Sequence, residues 1–130
     1  DMAENSLSQT APSPQGVRDI QFRALGTAPA VLSTDVARDY QQKHSRILRE
    51  IDRIRSLLPK DFTARNLGRT GYTDASGRRR PAYLLTRDAL ALLATAFTGR
   101  AALLRTLRYL QAFNAAEASL RALARREAQR

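Results

Sequence analysis

The sequence predicts a mostly helical α+β fold in a single domain, and three observations support this prediction. Apolar residues recur every three or four positions over several long stretches, which is the period of amphipathic helices. Strand-forming residues flank turn residues in only two places, around Gly26 and around "TDASGRRRPAY" (73–83). The 130-residue chain is 43% hydrophobic but only 6% aromatic, a composition that suits one aliphatic core.

The chain is strongly basic, and arginine carries nearly all of the positive charge. Lys and Arg number 22 against 12 Asp and Glu, a formal net charge of +10, and the only lysines are Lys43 and Lys60. This excess favours nucleic acid, an acidic protein surface or anionic lipid as the partner. Cysteine is absent, and no apolar run approaches the roughly 20 residues of a membrane span. We therefore expect no disulfide and no contact with a membrane.

The chain divides into three predicted parts. Residues 1–16 are rich in Ser, Pro and Gln, have no signal-peptide pattern, and are expected to form a flexible lead-in. Residues 17–99 are expected to form the domain, and residues 100–130 a long helix that packs on it and extends beyond it. Two short strands are predicted to begin the domain, at residues 17–22 and in "AVLS" (30–33), on either side of a turn.

A helix-turn-helix pair is predicted next. Ser33, Thr34 and Asp35 are typical of a helix start, and the first helix should extend to about residue 40. The second helix is predicted at residues 45–58, just before a proline. Its apolar stripe is formed by Ile47, Ile51, Ile54 and Leu58.

The arginines of the second helix cluster opposite that stripe and allow two interpretations. They are Arg46, Arg49 and Arg53. In the first interpretation they form the solvated basic face of an ordinary amphipathic helix. In the second they belong to a recognition helix that reads the major groove of DNA. The DNA-contacting set then also includes the residues at the start of the helix, Lys43, His44 and Ser45.

A β-hairpin with a basic tip follows the two helices. Asp74 suits the first position and Gly77 the fourth position of a type I turn, and Pro81 confines its strand to a sheet edge. Two helices followed by a basic hairpin is the element order of a winged helix, in which the hairpin lies along the DNA backbone. The residues expected to contact phosphates are Arg78, Arg79 and Arg80, and the alternative is a solvated loop tip.

Two more helices are predicted to complete the fold. Thr86 should cap a buried helix at about residues 87–97, which Gly99 ends. The last helix is predicted at residues 100–126, a length of roughly 40 Å. One of its stripes has the four-three-four-three spacing of a coiled coil and continues past the domain edge. We therefore predict a homodimer seam formed by Tyr109, Phe113, Ala116, Leu120 and Leu123.

Three blocks of the sequence, in this order, resemble the phage regulatory protein Rha family. They are "DVARDYQQKHSRILREI" (35–51), "YTDASGRRRPAYLLTRD" (72–88), and "FTGRAAL" with "YLQAFN" (97–114). The resemblance covers about residues 31–117 and implies a phage-encoded regulator with a winged-helix-like DNA-binding domain. The positions that match the family's helix and hairpin are His44, Leu48, Arg49, Tyr72, Asp74, Gly77, Arg78, Pro81 and Tyr83.

The chain also departs from the family pattern. Gln41 and Gln42 stand where the family usually has glycine and lysine, and Ala89-Leu90 replaces a glycine-phenylalanine pair. In the last helix, Thr106 and Leu107 stand where a lysine-glutamate pair is expected. The apolar pattern survives these changes, so we expect the fold to be kept, while the DNA preference need not be.

Catalysis has little support in these residues. His44 is the only histidine, which argues against a histidine metal cluster or a serine triad, and we expect no cofactor. Asp35 and Asp39 lie one helical turn apart, and the helix dipole explains them better than an acid–base pair does.

Two function classes remain for a protein of the bacterial cytoplasm. One is a transcriptional regulator that binds double-stranded DNA, and the other is a phage effector that binds an acidic host protein through its basic surface.

Overall fold

The computed structural model describes residues 19–130, which form an α+β architecture with five helices and one four-stranded antiparallel sheet. The elements in chain order are β1 (Arg23–Leu25), β2 (Ala28–Leu32), α1 (Ser33–Asp39), α2 (His44–Leu57), α3 (Lys60–Asn66), β3 (Leu67–Thr73), β4 (Arg79–Leu85), α4 (Arg87–Ala94) and α5 (Arg100–Ala128). The predicted mostly helical α+β class is confirmed. The predicted lead-in at residues 1–16 lies outside the described residues.

The sheet joins segments that are far apart in the chain. Its strand order is β1-β2-β4-β3, so β4 lies between β2 and β3 and the predicted edge position of the Pro81 strand is wrong. Proline is tolerated there because β2 pairs only with Leu84 and Leu85, which leaves Pro81 paired on one side alone. Val31 and Leu32 of β2 pair with Leu85 and Leu84 of β4, and seven residue pairs join β3 to β4 in a regular hairpin. The strand that precedes α1, α2 and α3 is therefore fixed beside the hairpin that follows them.

The first strand lies later in the chain than the sequence predicts. β1 begins at Arg23 and pairs with β2 through a tight turn at Gly26, whose φ of 61° is in the left-handed region. The predicted strand at residues 17–22 is wrong for its described residues, and residues 17 and 18 lie outside them. Phe22 instead packs its ring edge-on against Phe113, with 4.9 Å between the centroids.

The two helices predicted before the hairpin are present, but a third helix follows them. α1 and α2 lie within a residue of their predicted bounds, and Gln41 turns the chain between them. α3 is missing from the prediction because none of its residues is buried and it has no apolar stripe. Pro59 ends α2, as predicted, and also stands immediately before α3.

The last two helices follow the prediction with one shorter end. The Thr86 side chain accepts a hydrogen bond from the backbone N–H of Ala89, so the predicted cap is confirmed. α4 ends at Ala94 rather than near Phe97, because i to i+3 hydrogen bonds form at the next three residues. α5 has 29 residues, a length of about 43 Å.

Two residues of the predicted dimer seam lie in the core of the single chain. Tyr109 is 1% exposed and Phe113 is 0% exposed, and both pack with α1, α2, α4 and the sheet in one cluster. Their assignment to a contact with a second copy is therefore withdrawn. The reason is that α5 lies across the domain with this stripe inward. Ala116 is half-buried, while Leu120 and Leu123 remain 44% and 48% exposed, and for these three residues the homodimer stays a prediction.

Polar side chains fix α5 on α1 inside this core. The Tyr109 hydroxyl donates a hydrogen bond to the carboxylate of Asp39, a residue that is only 4% exposed. Burial raises the pKa of Tyr109, and the neighbouring Asp39 adds to the effect, so the phenol remains a donor. In a second contact between the end of α1 and α5, the Tyr40 hydroxyl lies 2.6 Å from Thr106 Oγ1. Thr106 itself donates to the carbonyl of Ala102.

A second polar contact joins α1, α2 and β4. Ser33 is fully buried, and its Oγ accepts a hydrogen bond of 2.9 Å from the backbone N–H of Tyr83. The same Oγ lies 2.9 Å from Nε2 of His44, the first residue of α2. The His44 ring also meets the Tyr72 ring edge-on, with centroids 5.2 Å apart. Burial lowers the pKa of His44 below its ordinary value.

The hydroxyl of Tyr109 should contribute more to the free energy of unfolding than the hydroxyl of Tyr40. Tyr109→Phe removes a buried hydrogen-bond donor from the Asp39 carboxylate, and we expect unfolding by urea to be easier by about 2–3 kcal/mol. Tyr40→Phe is the control, because Thr106 keeps its own bond to Ala102, and it should cost about 0.5–1.5 kcal/mol. An equal or smaller loss for Tyr109→Phe would contradict this account.

The half-buried His44 ring should make stability depend on pH. Its pKa in the folded chain lies below the value of 6.5 expected when unfolded, so the unfolded chain binds a proton more readily. Stability from this source is present above about pH 6.5 and is lost as the pH falls below it. We expect wild type to lose more unfolding free energy than His44→Gln between about pH 7.5 and 5.5. If the unfolding free energies of the two proteins fall in parallel as the pH falls, His44 is not the cause of the pH dependence.

Candidate nucleic-acid interface

The solvent side of α2 is opposite its isoleucines. Ile47, Ile51 and Ile54 are buried, whereas Lys43, Ser45, Arg49, Asp52, Arg53 and Ser56 are exposed. The predicted division of the helix into an apolar and a polar face is therefore present in the structure.

Arg46 does not belong to that solvent face, contrary to the prediction. It donates a 2.7 Å hydrogen bond from Nη1 to Oε1 of Gln42. Its guanidinium carbon lies 4.9 Å from the centre of the Phe97 ring, and Nη2 lies 3.5 Å from the carbonyl oxygen of Ala96. Arg46 sits at the border between the exposed and buried sides of the helix, and its long side chain folds toward the α4–α5 connection.

The remaining charges of the α2 face are mixed. Arg53 pairs with Glu50 at 2.8 Å, and Arg55 pairs with Asp52 at 3.6 Å. Among the described residues, Arg49 has no ion pair or side-chain hydrogen bond. The face is therefore less basic than the sequence predicts, and Arg49 is its available guanidinium.

One carboxylate organises the tip of the hairpin. Oδ1 of Asp74 accepts hydrogen bonds from the backbone N–H groups of Ser76 and Arg78 and from the Ser76 hydroxyl, at 2.9, 3.0 and 2.7 Å. Oδ2 accepts from Nε of Arg80 at 2.9 Å. The bonds from the Ser76 hydroxyl and Arg80 lead the effects that hold the pKa of Asp74 well below its usual range. The Gly77 N–H bonds the Asp74 carbonyl at 3.0 Å, which agrees with the predicted four-residue turn.

The three arginines of the tip are not equivalent. Arg80 is tied to Asp74, so its positive charge is already paired. The Arg79 guanidinium lies across Gly71 on β3, where an added Cβ would be 2.8 Å from Nη2, and approaches Thr73 Oγ1 at 3.4 Å. The Arg78 side chain is exposed, and only its backbone takes part in the turn. Two of the three predicted phosphate-contacting arginines, Arg78 and Arg79, are thus without a carboxylate partner among residues 19–130.

Ring contacts fix α2 against the hairpin. His44, at the start of α2, meets Tyr72, which pairs with Arg80 next to the tip. Near the other end of α2, Arg55 lies 5.7 Å from the ring centre of Tyr83, deeper in the sheet. α2 therefore runs alongside the hairpin with its first turn toward the tip. Lys43 and Ser45 flank His44 at that end of the helix, and Arg49 lies in the next turn.

Sequence reasoning missed one exposed arginine of this region. Arg69 on β3 is exposed and lies directly opposite Tyr83 in the register. Paired residues of an antiparallel ladder project to the same face, so Arg69 lies on the side of the hairpin where Arg55 covers Tyr83. The available signal is the period-two pair Thr70 and Tyr72, because it predicts a strand in which Arg69 projects from the opposite face.

Residues 19–130 provide neither a metal cluster nor a membrane span. No group of three or more His, Cys, Asp or Glu residues there could hold a metal ion. Within the same residues, no helix combines the length and the apolar character needed to cross a membrane.

α2 and the hairpin both fall inside a segment that matches a known family. The family model for phage regulatory protein Rha matches residues 31–118, which confirms the resemblance carried by the three sequence blocks. No curated protein and no solved structure gives a significant match. Because the match covers more than half of the 130 residues, the chain belongs to the phage regulatory protein Rha family.

Proposed function

We propose that this protein is a phage-encoded regulator of transcription that binds double-stranded DNA in the bacterial cytoplasm. The solvent face of α2 enters the major groove, and the hairpin tip lies along the backbone. The proposal rests on the strand pairing on either side of α1 and α2 in the chain. β2 precedes α1 and α2, and it pairs with β4 of the hairpin that follows them.

This connectivity supports a winged-helix arrangement. A strand, two helices joined by a tight turn, and a hairpin whose second strand pairs with the first strand are its elements, in that order. α3 is an addition between the second helix and the hairpin. The pairing of β2 with β4 and the contact of His44 with Tyr72 are both present alongside it.

Preorganisation supports a common binding surface. The contacts of His44 with Tyr72 and of Arg55 with Tyr83 hold α2 and the hairpin in one arrangement before any partner arrives. Less side-chain and loop freedom is then lost on binding. DNA needs such a fixed spacing, because the groove that receives a helix and the neighbouring phosphates are themselves at fixed distances.

The charged residues of this surface suit two different roles, base reading and phosphate contact. Arg49 has a planar guanidinium that can bond two atoms on the edge of guanine. Arg78 and Arg79 at the tip suit phosphates, which position a protein without reading sequence. Asp52 and Glu50 reduce the positive potential of α2 itself, so backbone attraction comes mainly from the tip and from Lys43.

Arg49 should matter for base selection, whereas Arg46 should not. On the duplex selected from a random pool, Arg49→Ala should lose about 1–3 kcal/mol of binding and should relax the preferred sequence. Arg46→Ala, compared at equal folded protein, should retain the preferred sequence, because its guanidinium is held by Gln42 and Phe97. Arg125→Ala, near the end of α5, has the same charge change and serves as control. If Arg49→Ala selects and binds the same duplex as wild type does, α2 does not read DNA.

The hairpin tip should contribute electrostatically and without regard to sequence. Changing Arg78 and Arg79 together to serine should lower the log–log salt slope of duplex binding by about 0.9 for each phosphate that is no longer neutralised. Selected and random duplexes should weaken alike. Arg80→Ser should leave the slope unchanged, because that charge is paired with Asp74. An unchanged slope in the folded double variant would mean that the tip is a solvated turn.

A further inference from the structure

The outer face of α4 and α5 carries an apolar groove that has no part in the α2 and hairpin surface. The groove is open, has a volume of about 550 Å³, and is lined mainly by Ala91, Ala94, Phe97, Arg100 and Leu103. We call this the α4–α5 groove.

Exposed leucines extend the groove along α5. Leu103, Leu107 and Leu104 are 70%, 49% and 45% exposed. At about 100° per residue, the three fall within an arc of about 100° on the side of α5 opposite Tyr109 and Phe113. They therefore add nothing to the core that α5 covers with its inner side. Adjacent exposed leucines beside a groove, unlike scattered single ones, are typical of an interaction surface.

The charged residues that line the groove or flank its leucines on α5 are arginines. No Asp or Glu occurs anywhere in residues 89–116, and Arg100 and Arg108 are exposed on the leucine side of α5. The positive end of the α5 dipole also lies beside the groove, and no acidic or capping side chain offsets it. Its first turn holds no acid, and Gly99 before it provides no capping side chain. The unpaired N–H groups of that turn add to the positive potential of Arg100.

We propose that the α4–α5 groove binds an acidic amphipathic helix of a partner protein. Apolar side chains of that helix fill the groove and cover Leu103 and Leu107. Its carboxylates meet Arg100, Arg108 and the first turn of α5. This is the helix-in-groove mode of recognition, with charge complementarity selecting the partner. A second copy of the chain suits the surface less well, because two such faces would bring arginines together with no acid to separate them.

The inference does not depend on DNA binding. The groove residues lie on α4, α5 and their connection, whereas the proposed DNA surface comprises α2 and the hairpin tip. Failure of one proposal therefore leaves the other intact, and each has its own ligand and its own variants.

Two synthetic helical peptides test the proposal on the full chain. Both carry the same Leu and Phe stripe, one with glutamates and the other with lysines at the polar positions. Fluorescence anisotropy should show the glutamate peptide binding at least about tenfold more tightly, and the difference should shrink as salt rises. Amide chemical-shift changes on adding the glutamate peptide should centre on residues 94–108.

Matched variants locate the contact. Leu103→Glu should weaken the glutamate peptide at least about tenfold, because it removes an anchor and adds a like charge. Leu57→Glu is the control, since Leu57 is 69% exposed and lies outside the groove. Both variants should melt like wild type, and Leu103→Glu should bind duplex DNA as wild type does.

Several results would overturn the proposal. They are equal binding of the two peptides, equal effects of the two leucine variants, and shifts centred on α2 or the hairpin. Self-association that Leu103→Glu abolishes would assign the groove to a second copy instead. Stronger binding to phosphatidylglycerol vesicles than to the glutamate peptide would assign it to a lipid surface.

Discussion

The fold depends on the pairing of β2 with β4, because this short ladder joins segments about fifty residues apart in the chain. Only Val31 and Leu32 pair through the backbone, since α1 begins at the next residue. The next N–H of β4, that of Tyr83, would have no acceptor there, and the Ser33 side chain supplies one. The same oxygen contacts His44, so a single buried hydroxyl ends the ladder, begins α1 and holds the start of α2. Everything proposed for α2 and the hairpin follows from that junction.

α5 closes the other side of the molecule under a comparable constraint. Asp39 is buried at the end of α1, and a buried carboxylate is costly unless it is bonded. The Tyr109 hydroxyl meets that demand, which fixes the rotation of α5 and places Phe113 in the core one turn later. This is why the first two residues of the apolar stripe that resembles a coiled-coil seam, Tyr109 and Phe113, are used within the chain. A helical projection finds the stripe but does not show whether the chain's own core covers it.

Local signals predict most elements, whereas side-chain contacts and burial in the core account for the misplaced site residues. Both helices of the helix-turn-helix pair, the hairpin and the Thr86 cap follow from residue type and spacing, which act over a few positions. α3 and β1 are short and have no apolar period, so nothing local identified them. A helical projection places Arg46 on the solvent face by the angle of its Cα, yet its guanidinium reaches Phe97 in the connection between α4 and α5. The pairing of Arg80 with Asp74 was accessible from the hairpin register but was not predicted from it.

The departures from the family pattern acquire physical meaning in this structure. Gln41, at a position where the family usually has glycine, has a φ of 56°, in the left-handed region that glycine adopts with least strain. Thr106 and Leu107 stand where a lysine-glutamate pair is expected. Thr106 bonds Tyr40 in the contact that holds α5 on α1, and Leu107 is an exposed member of the α4–α5 face. The absence of an acid at residue 107 leaves that face with one sign of charge. Leu107 therefore contributes to the apolar part of this face, and its uncharged side chain agrees with the proposed selection of an acidic partner.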